Sequence, residues 1–153
     1  MKKKNIGEMD KEDQNNLFMD IALLFGSCST CPRGKVGAVI VREGRIISTG
    51  YNGAPPNMPH CEDIGCEYEL VFGEETEFLG CQRVVHAEAN AIAWAARQGI
   101  SVFEATMYCT YSPCKKCAYL MSSAGIKCVI YRQSYDRTPW EIMSSLGIEA
   151  KSI

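Results

Sequence analysis

Three side chains of this chain have the types and spacing to hold one metal ion: His86, in the triplet "HAE", and Cys114 and Cys117, in "PCKKC". Each motif opens a stretch with helical patterning. Cysteines at i and i+3 share one helical face. At a helix start the dipole and the free N–H groups favour thiolate, the form that binds metal. His86 can supply a neutral third ligand from the other helix. Two thiolates and one imidazole leave a fourth zinc position open for water, which is how catalytic zinc differs from structural zinc. The metal lowers that water's pKa and makes a hydroxide nucleophile near neutral pH. Glu88 lies two residues after His86 and points elsewhere on the helix, so it is poorly placed as a fourth ligand. Beside the water it could take a proton and pass it to a leaving group.

Each motif alone is weak. "HAE" by itself is a histidine at a helix start with a glutamate favoured by the N-terminal dipole. PCxxC by itself is half of a structural zinc site or a redox pair. Together, each opening a helix with a strand between them, they describe one site.

The surrounding elements must bring these two helix starts together. Residues 12–26 place Leu17, Phe18, Ile21, Leu24 and Phe25 on one helical face, with Gly26 as a stop. "KVGAVIV" and "RIISTGYN" read as strands of a hairpin turning at Glu43-Gly44. "HAEANAIAWAARQG" is an alanine-rich helix ending at Gly99. "ATMYCTY" and "KCVIY" are strands. Between them "SPCKKCAYLMSSAG" is a helix with Ser112 as N-cap, Pro113 at the first position and Gly125 as stop. "RTPWEIMSSLG" repeats that grammar with Thr138, Pro139 and Gly147, and "IEAKS" is a final strand. Helical crossovers favour parallel pairing of the last three strands. The expected fold class is α/β, a five-stranded mixed sheet with helices on both faces.

Residues 53–82 break this order. They are rich in glycine and proline and hold three cysteines and a histidine. A structureless loop of that length is unusual inside a compact domain, so something besides an apolar core must order it.

The 153 residues suit one domain, 1–153, with 53–82 as a cysteine-rich insertion. Apolar runs are too short for a membrane span, and the lysines of "MKKKN" precede no apolar stretch, so they read as a solvated terminus. A net charge of -2 disfavours a nucleic-acid grip, which needs a basic surplus. Nine cysteines without a secretion signal favour metal ligation over disulfides and a cytoplasmic location.

HxE followed by PCxxC is the signature of the zinc-dependent base deaminases. Several segments extend the match: "VGAVIVREGRIISTGYNGAP", "PHCEDIGC", "HAEANAIAWAARQG", "EATMYCTYSPCKKCA" and "AGIKCVIYRQSYD". In order and spacing they resemble the deoxycytidylate (dCMP) deaminases over residues 15–150. The resemblance implies a cytidine-deaminase-like three-layer αβα sandwich and hydrolysis of dCMP to dUMP and ammonia, supplying dUMP for dTTP synthesis. It implies a catalytic Zn2+ on His86, Cys114 and Cys117, with Glu88 as proton shuttle. It implies that Asn52 and the Ala87 N–H orient the pyrimidine and sugar. Ser112, Lys35 and Tyr135 are further substrate-binding candidates, the last two for the 5′-phosphate. "GYNG" (Gly50, Tyr51, Asn52, Gly53) is associated in this family with a regulatory site, activated by dCTP and inhibited by dTTP, and hexamers are common. Other members of the fold, a tRNA adenosine deaminase or a riboflavin-pathway pyrimidine deaminase, are alternatives, as is a non-catalytic competence-associated zinc protein.

The family often carries a second, structural zinc near the insertion. Four thiolates close a tetrahedral site and would order an under-packed segment. Cys31, Cys61, Cys66 and Cys81 are the expected set. Cys31 keeps the family's spacing to "KVGA"; Cys28 and His60 remain alternates. Cys109 and Cys128, in apolar strands, read as small buried hydrophobes.

Overall fold

The computed structural model describes residues 5–72 and 77–153. The lysines at 2–4 therefore lie outside the described residues. A short 3-10 turn, Ile6–Glu8, precedes helix α1, Lys11–Ser27. Asp10 caps α1 by accepting a hydrogen bond from the Asp13 N–H. Strands β1, Gly37–Arg42, and β2, Arg45–Tyr51, form the expected hairpin. Its two turn residues, Glu43 and Gly44, have φ of 52° and 71°. Two consecutive left-handed residues make the twist-compatible hairpin turn.

After the insertion come helix α3 (Ala87–Arg97), strand β5 (Thr106–Tyr111), helix α4 (Lys115–Ser123), strand β6 (Cys128–Gln133), helix α5 (Trp140–Ser145) and strand β7 (Glu149–Ser152). The sheet order is β2-β1-β5-β6-β7. β1 runs antiparallel to β2 and β5, while β5, β6 and β7 are parallel. This is the mixed five-stranded sheet that the helix–strand alternation predicts.

Alternating side chains along the central strands divide the core between two faces. Val39, Val41, Tyr108 and Ile130 pack with Phe18, Met19 and Ala22 of α1. Ala38, Ile40, Met107, Cys109 and Val129 pack against Ala91 of α3, Met121 of α4 and Met143 of α5. Helices therefore cover both faces, giving three layers.

The structure corrects three local expectations. The buried stripe of α1 is Phe18, Met19, Ala22 and Gly26, and Leu24 is exposed. Gly26 is not the stop of α1: a Cβ there would sit 3.0 Å from the Gly37 nitrogen, so it serves close helix–strand packing. The N-caps of α4 and α5 are Cys114 and Pro139, each later in the chain than the expected Ser112 and Thr138.

The insertion is not structureless. It carries the short helix α2, Cys61–Ile64, and an antiparallel hairpin of β3, Tyr68–Phe72, and β4, Glu77–Cys81. Aromatic and β-branched residues in "YELVF" and "EFLGC" carry the strand signal, which the surrounding glycines and cysteines obscure.

Candidate active site

The sheet brings four chain segments to one edge. β5 and β6 are parallel and end together, with Tyr111 opposite Gln133. β1 is antiparallel to β5, so its beginning lies at that edge, and the end of β2, Tyr51, pairs with Gly37. The chain leaving β5 supplies Ser112 to Cys114, and the chain leaving β6 supplies Tyr135. The chain entering β1 supplies Lys35, and the chain leaving β2 supplies Asn52 and Gly53. Ligand sites in open α/β sheets gather at the carboxyl ends of parallel strands for this reason.

Helix α3 joins the same edge through β2. The Asn90 side chain donates to the Tyr51 carbonyl at 2.8 Å, and the Ser48 hydroxyl donates to the Ala91 carbonyl at 2.6 Å. Gly53 and Val85 exchange backbone hydrogen bonds of 3.2 and 2.9 Å just before His86. Gly50 makes the approach possible: a Cβ there would lie 2.4 Å from the Ala87 carbonyl oxygen. Three residues of "GYNG", Gly50, Tyr51 and Gly53, thus help seat the helix that His86 begins.

His86 is the N-cap of α3 and Cys114 the N-cap of α4, with Cys117 one turn into α4. The His86 Nδ1 lies 3.5 Å from the Cys114 Sγ and 3.4 Å from the Cys117 Sγ. Tetrahedral zinc bonds of 2.0–2.3 Å require ligand separations of about 3.5 Å, so this donor set fits the ion. His86 is exposed, Cys114 half-buried and Cys117 buried, which leaves the cluster reachable from solvent on the histidine side.

The protonation pattern also suits a cation. Hydrogen bonding with Cys117, helped by His86, pulls the Cys114 thiol down to about 4. The same bond and burial push Cys117 upward. The pair thus releases one proton readily and resists releasing the second. A divalent cation between them favours the doubly deprotonated state. His86 is raised, chiefly by its hydrogen bond to Cys114.

Glu88 occupies the second position of α3 and is only 4% exposed. Burial raises its carboxyl above the ordinary carboxylate range, against the opposing pull of His86. A carboxyl moved toward neutrality is suited to give and take a proton near pH 7. Beneath it lies Cys109, a buried thiol that burial and the Glu88 charge keep protonated. Cys109 is the small core hydrophobe expected of it, whereas Cys128 is half-buried and packs at the margin of the α1 face.

The other candidate residues have specific partners. Asn52 is 7% exposed. Its Oδ1 accepts from the Val36 N–H at 2.8 Å, and its Nδ2 donates to the Gly34 carbonyl at 2.9 Å. It staples the segment before β1 to the end of β2, with one amide hydrogen left over. Lys35 is exposed, with its Nζ 3.4 Å from the Ser27 carbonyl. Tyr135 is half-buried, and its hydroxyl accepts from Arg137 at 3.1 Å. Ala87 is buried at the first position of α3, where a helix N–H has no intrahelical partner. Ser112 is buried, and its hydroxyl meets Thr138 at 2.6 Å and accepts from the Tyr135 N–H at 2.7 Å. Thr138 carries no local signal for this partnership; its sequence context reads only as a helix cap.

A second cluster forms in the insertion. The Sγ atoms of Cys61, Cys66 and Cys81 lie within 4.8 Å of one another, with Cys61 and Cys81 at 3.7 Å. Burial, with Cys81 next to it, pushes the Cys61 thiol up to about 12. Burial opposes ionisation of Cys81 too, but hydrogen bonds from the Arg83 and Glu67 backbone N–H groups bring it below its ordinary value. Cys31 is buried but stands outside this group, so the structure brings together three of the four expected thiols. Cys28 is exposed, and the His60 Nδ1 is engaged with the Thr30 hydroxyl at 3.0 Å.

A helix-capped His/Cys/Cys cluster beside a buried glutamate, on the edge of an αβα sheet, defines a zinc-dependent hydrolytic deaminase site. The family model "Cytidine and deoxycytidylate deaminase zinc-binding region" matches residues 12–133, and the chain belongs to this family. The chain is 36% identical over 147 residues to ComE operon protein 2 of Bacillus subtilis, covering 95% of this chain and 74% of that protein. It is 35% identical over 168 residues to the deoxycytidylate deaminase of Enterobacteria phage T4, covering 88% of this chain and 87% of that one. Among solved structures it resembles the dCMP deaminase of cyanophage S-TIM5 in complex with dCMP and dUMP. The TM-score is 0.78 at 32% identity, covering 95% of this chain and 99% of that one. No helix among the described residues is long and apolar enough to cross a membrane.

Proposed function

We propose that the protein hydrolyses dCMP to dUMP and ammonia, as one deaminase domain over residues 1–153 working in the cytoplasm. The observation that carries this reading is the convergence of His86 Nδ1, Cys114 and Cys117 beside buried Glu88, in a chain similar to enzymes named for dCMP. Zinc held by those three ligands would supply a Lewis acid that lowers the pKa of water toward neutrality. The rest is the work of the chain. Glu88 takes a proton from the attacking water and gives it to N3 as the C4–O bond forms, then carries the remaining hydroxyl proton to the C4 amino group, so that ammonia leaves as the C4–N bond breaks. The Ala87 N–H and the remaining Asn52 amide hydrogen donate to the pyrimidine and sugar. Lys35 and Tyr135 stand on the same sheet edge, as donors to the 5′-phosphate would.

The Bacillus relative is named for its operon and not for a reaction. Glu88 with all three ligands favours catalysis here, because a zinc scaffold needs no buried proton carrier. The acidic balance weighs against a tRNA substrate. Regulation by dCTP and dTTP near "GYNG", and assembly into hexamers, belong to the same proposal. A second zinc in the insertion belongs to it too, on Cys61, Cys66 and Cys81 with Cys31 moving in as the fourth ligand. The near-tetrahedral Cys61–Cys81 separation and the backbone N–H groups on Cys81 support that site.

The test follows ammonia release from dCMP, CMP, deoxycytidine and dCTP, with elemental analysis alongside. Turnover of dCMP and about two zincs per chain are expected. No turnover of dCMP, with or without dCTP, would overturn the substrate reading. A single zinc per chain in the wild type, unchanged in a Cys61→Ser variant, would overturn the second site.

A further inference from the structure

The parallel strands β5 and β6 leave the sheet side by side, and the two chains that follow them do different jobs. One carries Cys114. The other, residues 134–138, carries Tyr135 and Arg137. What joins them is a buried pair of hydroxyls. The Ser112 N–H donates to the Gln133 carbonyl at 2.9 Å, and its Oγ accepts from the Tyr135 N–H at 2.7 Å. The same Oγ lies 2.6 Å from the Thr138 Oγ1, and the Thr138 N–H donates back to the Tyr135 carbonyl at 2.9 Å. Ser112 and Thr138 are 3% and 8% exposed, so water replaces none of these bonds cheaply. Arg137 donates to the Tyr135 hydroxyl at 3.1 Å, and its guanidinium lies 5.7 Å from the Tyr135 ring centre. The Tyr135 backbone is thus fixed from Ser112, and its ring and hydroxyl are fixed from Arg137.

We infer that Ser112 and Thr138 are positioning residues: a hydroxyl latch that sets Tyr135 and Arg137 against the metal-bearing turn and so fixes how the nucleotide's phosphate end is held. This rests on the dCMP reading above. Ser112 stands two residues before a metal ligand, yet its hydroxyl is already satisfied within the protein. That hydroxyl therefore acts on the nucleotide through Tyr135. A nucleoside gains little from the latch, and a 5′-phosphorylated nucleotide gains much. The latch is thereby a determinant of nucleotide over nucleoside.

Thr138→Val keeps the side-chain shape and removes the hydroxyl, and Thr138→Ser restores it. In Thr138→Val the KM for dCMP should rise about tenfold, kcat should change by less than about twofold, and zinc content should hold. The preference for dCMP over deoxycytidine in kcat/KM should fall by a similar factor, and Thr138→Ser should recover it. Amide exchange at Tyr135, read by NMR, should quicken in Thr138→Val and return in Thr138→Ser. An unchanged dCMP preference, a fall in kcat without a change in KM, or an unchanged Tyr135 amide overturns the latch. Wild-type protein that turns over no dCMP overturns the substrate reading instead, and the Tyr135 amide then still decides whether the latch exists.

Discussion

The two thiol clusters contain the same number of converging ligands but are held in opposite ways. His86, Cys114 and Cys117 sit on the starts of α3 and α4, two helices pressed against a five-stranded sheet. Remove the ion and those helix starts remain where the core puts them. Cys61, Cys66 and Cys81 sit on a four-residue helix and the ends of a two-stranded hairpin. A single hairpin is marginal in water, so here the ion would hold the chain rather than the chain the ion. Among the described residues, only the first cluster has a buried carboxyl beside it. The difference is what a site for chemistry and a site for architecture would each require.

The largest effect should come from the group that only the first cluster has. Glu88→Gln should lower kcat about 10³-fold, roughly 4 kcal/mol of barrier, with metal content unchanged. Loss of metal in that variant would mean that Glu88 is a ligand and would erase the contrast between the clusters. Next is Gly50→Ala. Its new Cβ meets the Ala87 carbonyl and the Ala91 nitrogen, so thermal or urea unfolding should show a loss of about 3 kcal/mol. Activity should fall with it, since α3 carries Glu88.

A smaller effect on activity, about tenfold, is expected for Cys61→Ser. Its main mark should be local: rapid proteolysis within 53–82, with far-UV circular dichroism of the sheet and helices largely kept. Global unfolding in that variant would show that the insertion's metal supports the whole fold.

The smallest effect is on stability and has the opposite sign. Burial raises the Glu88 carboxyl, so above the ordinary carboxylate range the unfolded chain is ionised while the folded one still holds its proton. The unfolded state then binds fewer protons, and stability falls as pH rises through that window. With metal chelated from both proteins, Glu88→Gln should melt above wild type at pH 8, and the gap should close by pH 4. A gap of the same size at both pH values would separate it from the carboxyl's ionisation. The buried acid is thus a cost to the fold, of the kind a proton carrier would justify.

The catalytic cluster was legible in the sequence because short-range rules suffice to find it. PCxxC sets two thiols on one helical face, and "HAE" sets a ligand and an acid at another helix start. The insertion was legible only as a segment that needed help. Its cysteines have the chemistry of metal ligands, but the hairpin that carries Cys81 was hidden among turn residues. Cys31 is marked only by the family's spacing to "KVGA", and the folded chain leaves that thiol outside the group. Ser112 and Thr138 misled for a related reason. A serine or threonine before a proline reads as a helix cap, and nothing local says that the two hydroxyls will meet across parallel strands.

The sequence by itself determined which residues could carry the chemistry, where helices and strands alternate, and that the last three strands run parallel. Those follow from periodicity, caps and crossover rules that act over a few residues at a time. Tertiary structure alone decided that the ends of β2, β5 and β6 share an edge with the start of β1. It decided that Gly50 must be bare so that α3 can close on β2, and that Ser112 answers to Thr138 and not to a helix. These are contacts between segments far apart in the chain, fixed by sheet order and close packing, and no local pattern encodes them.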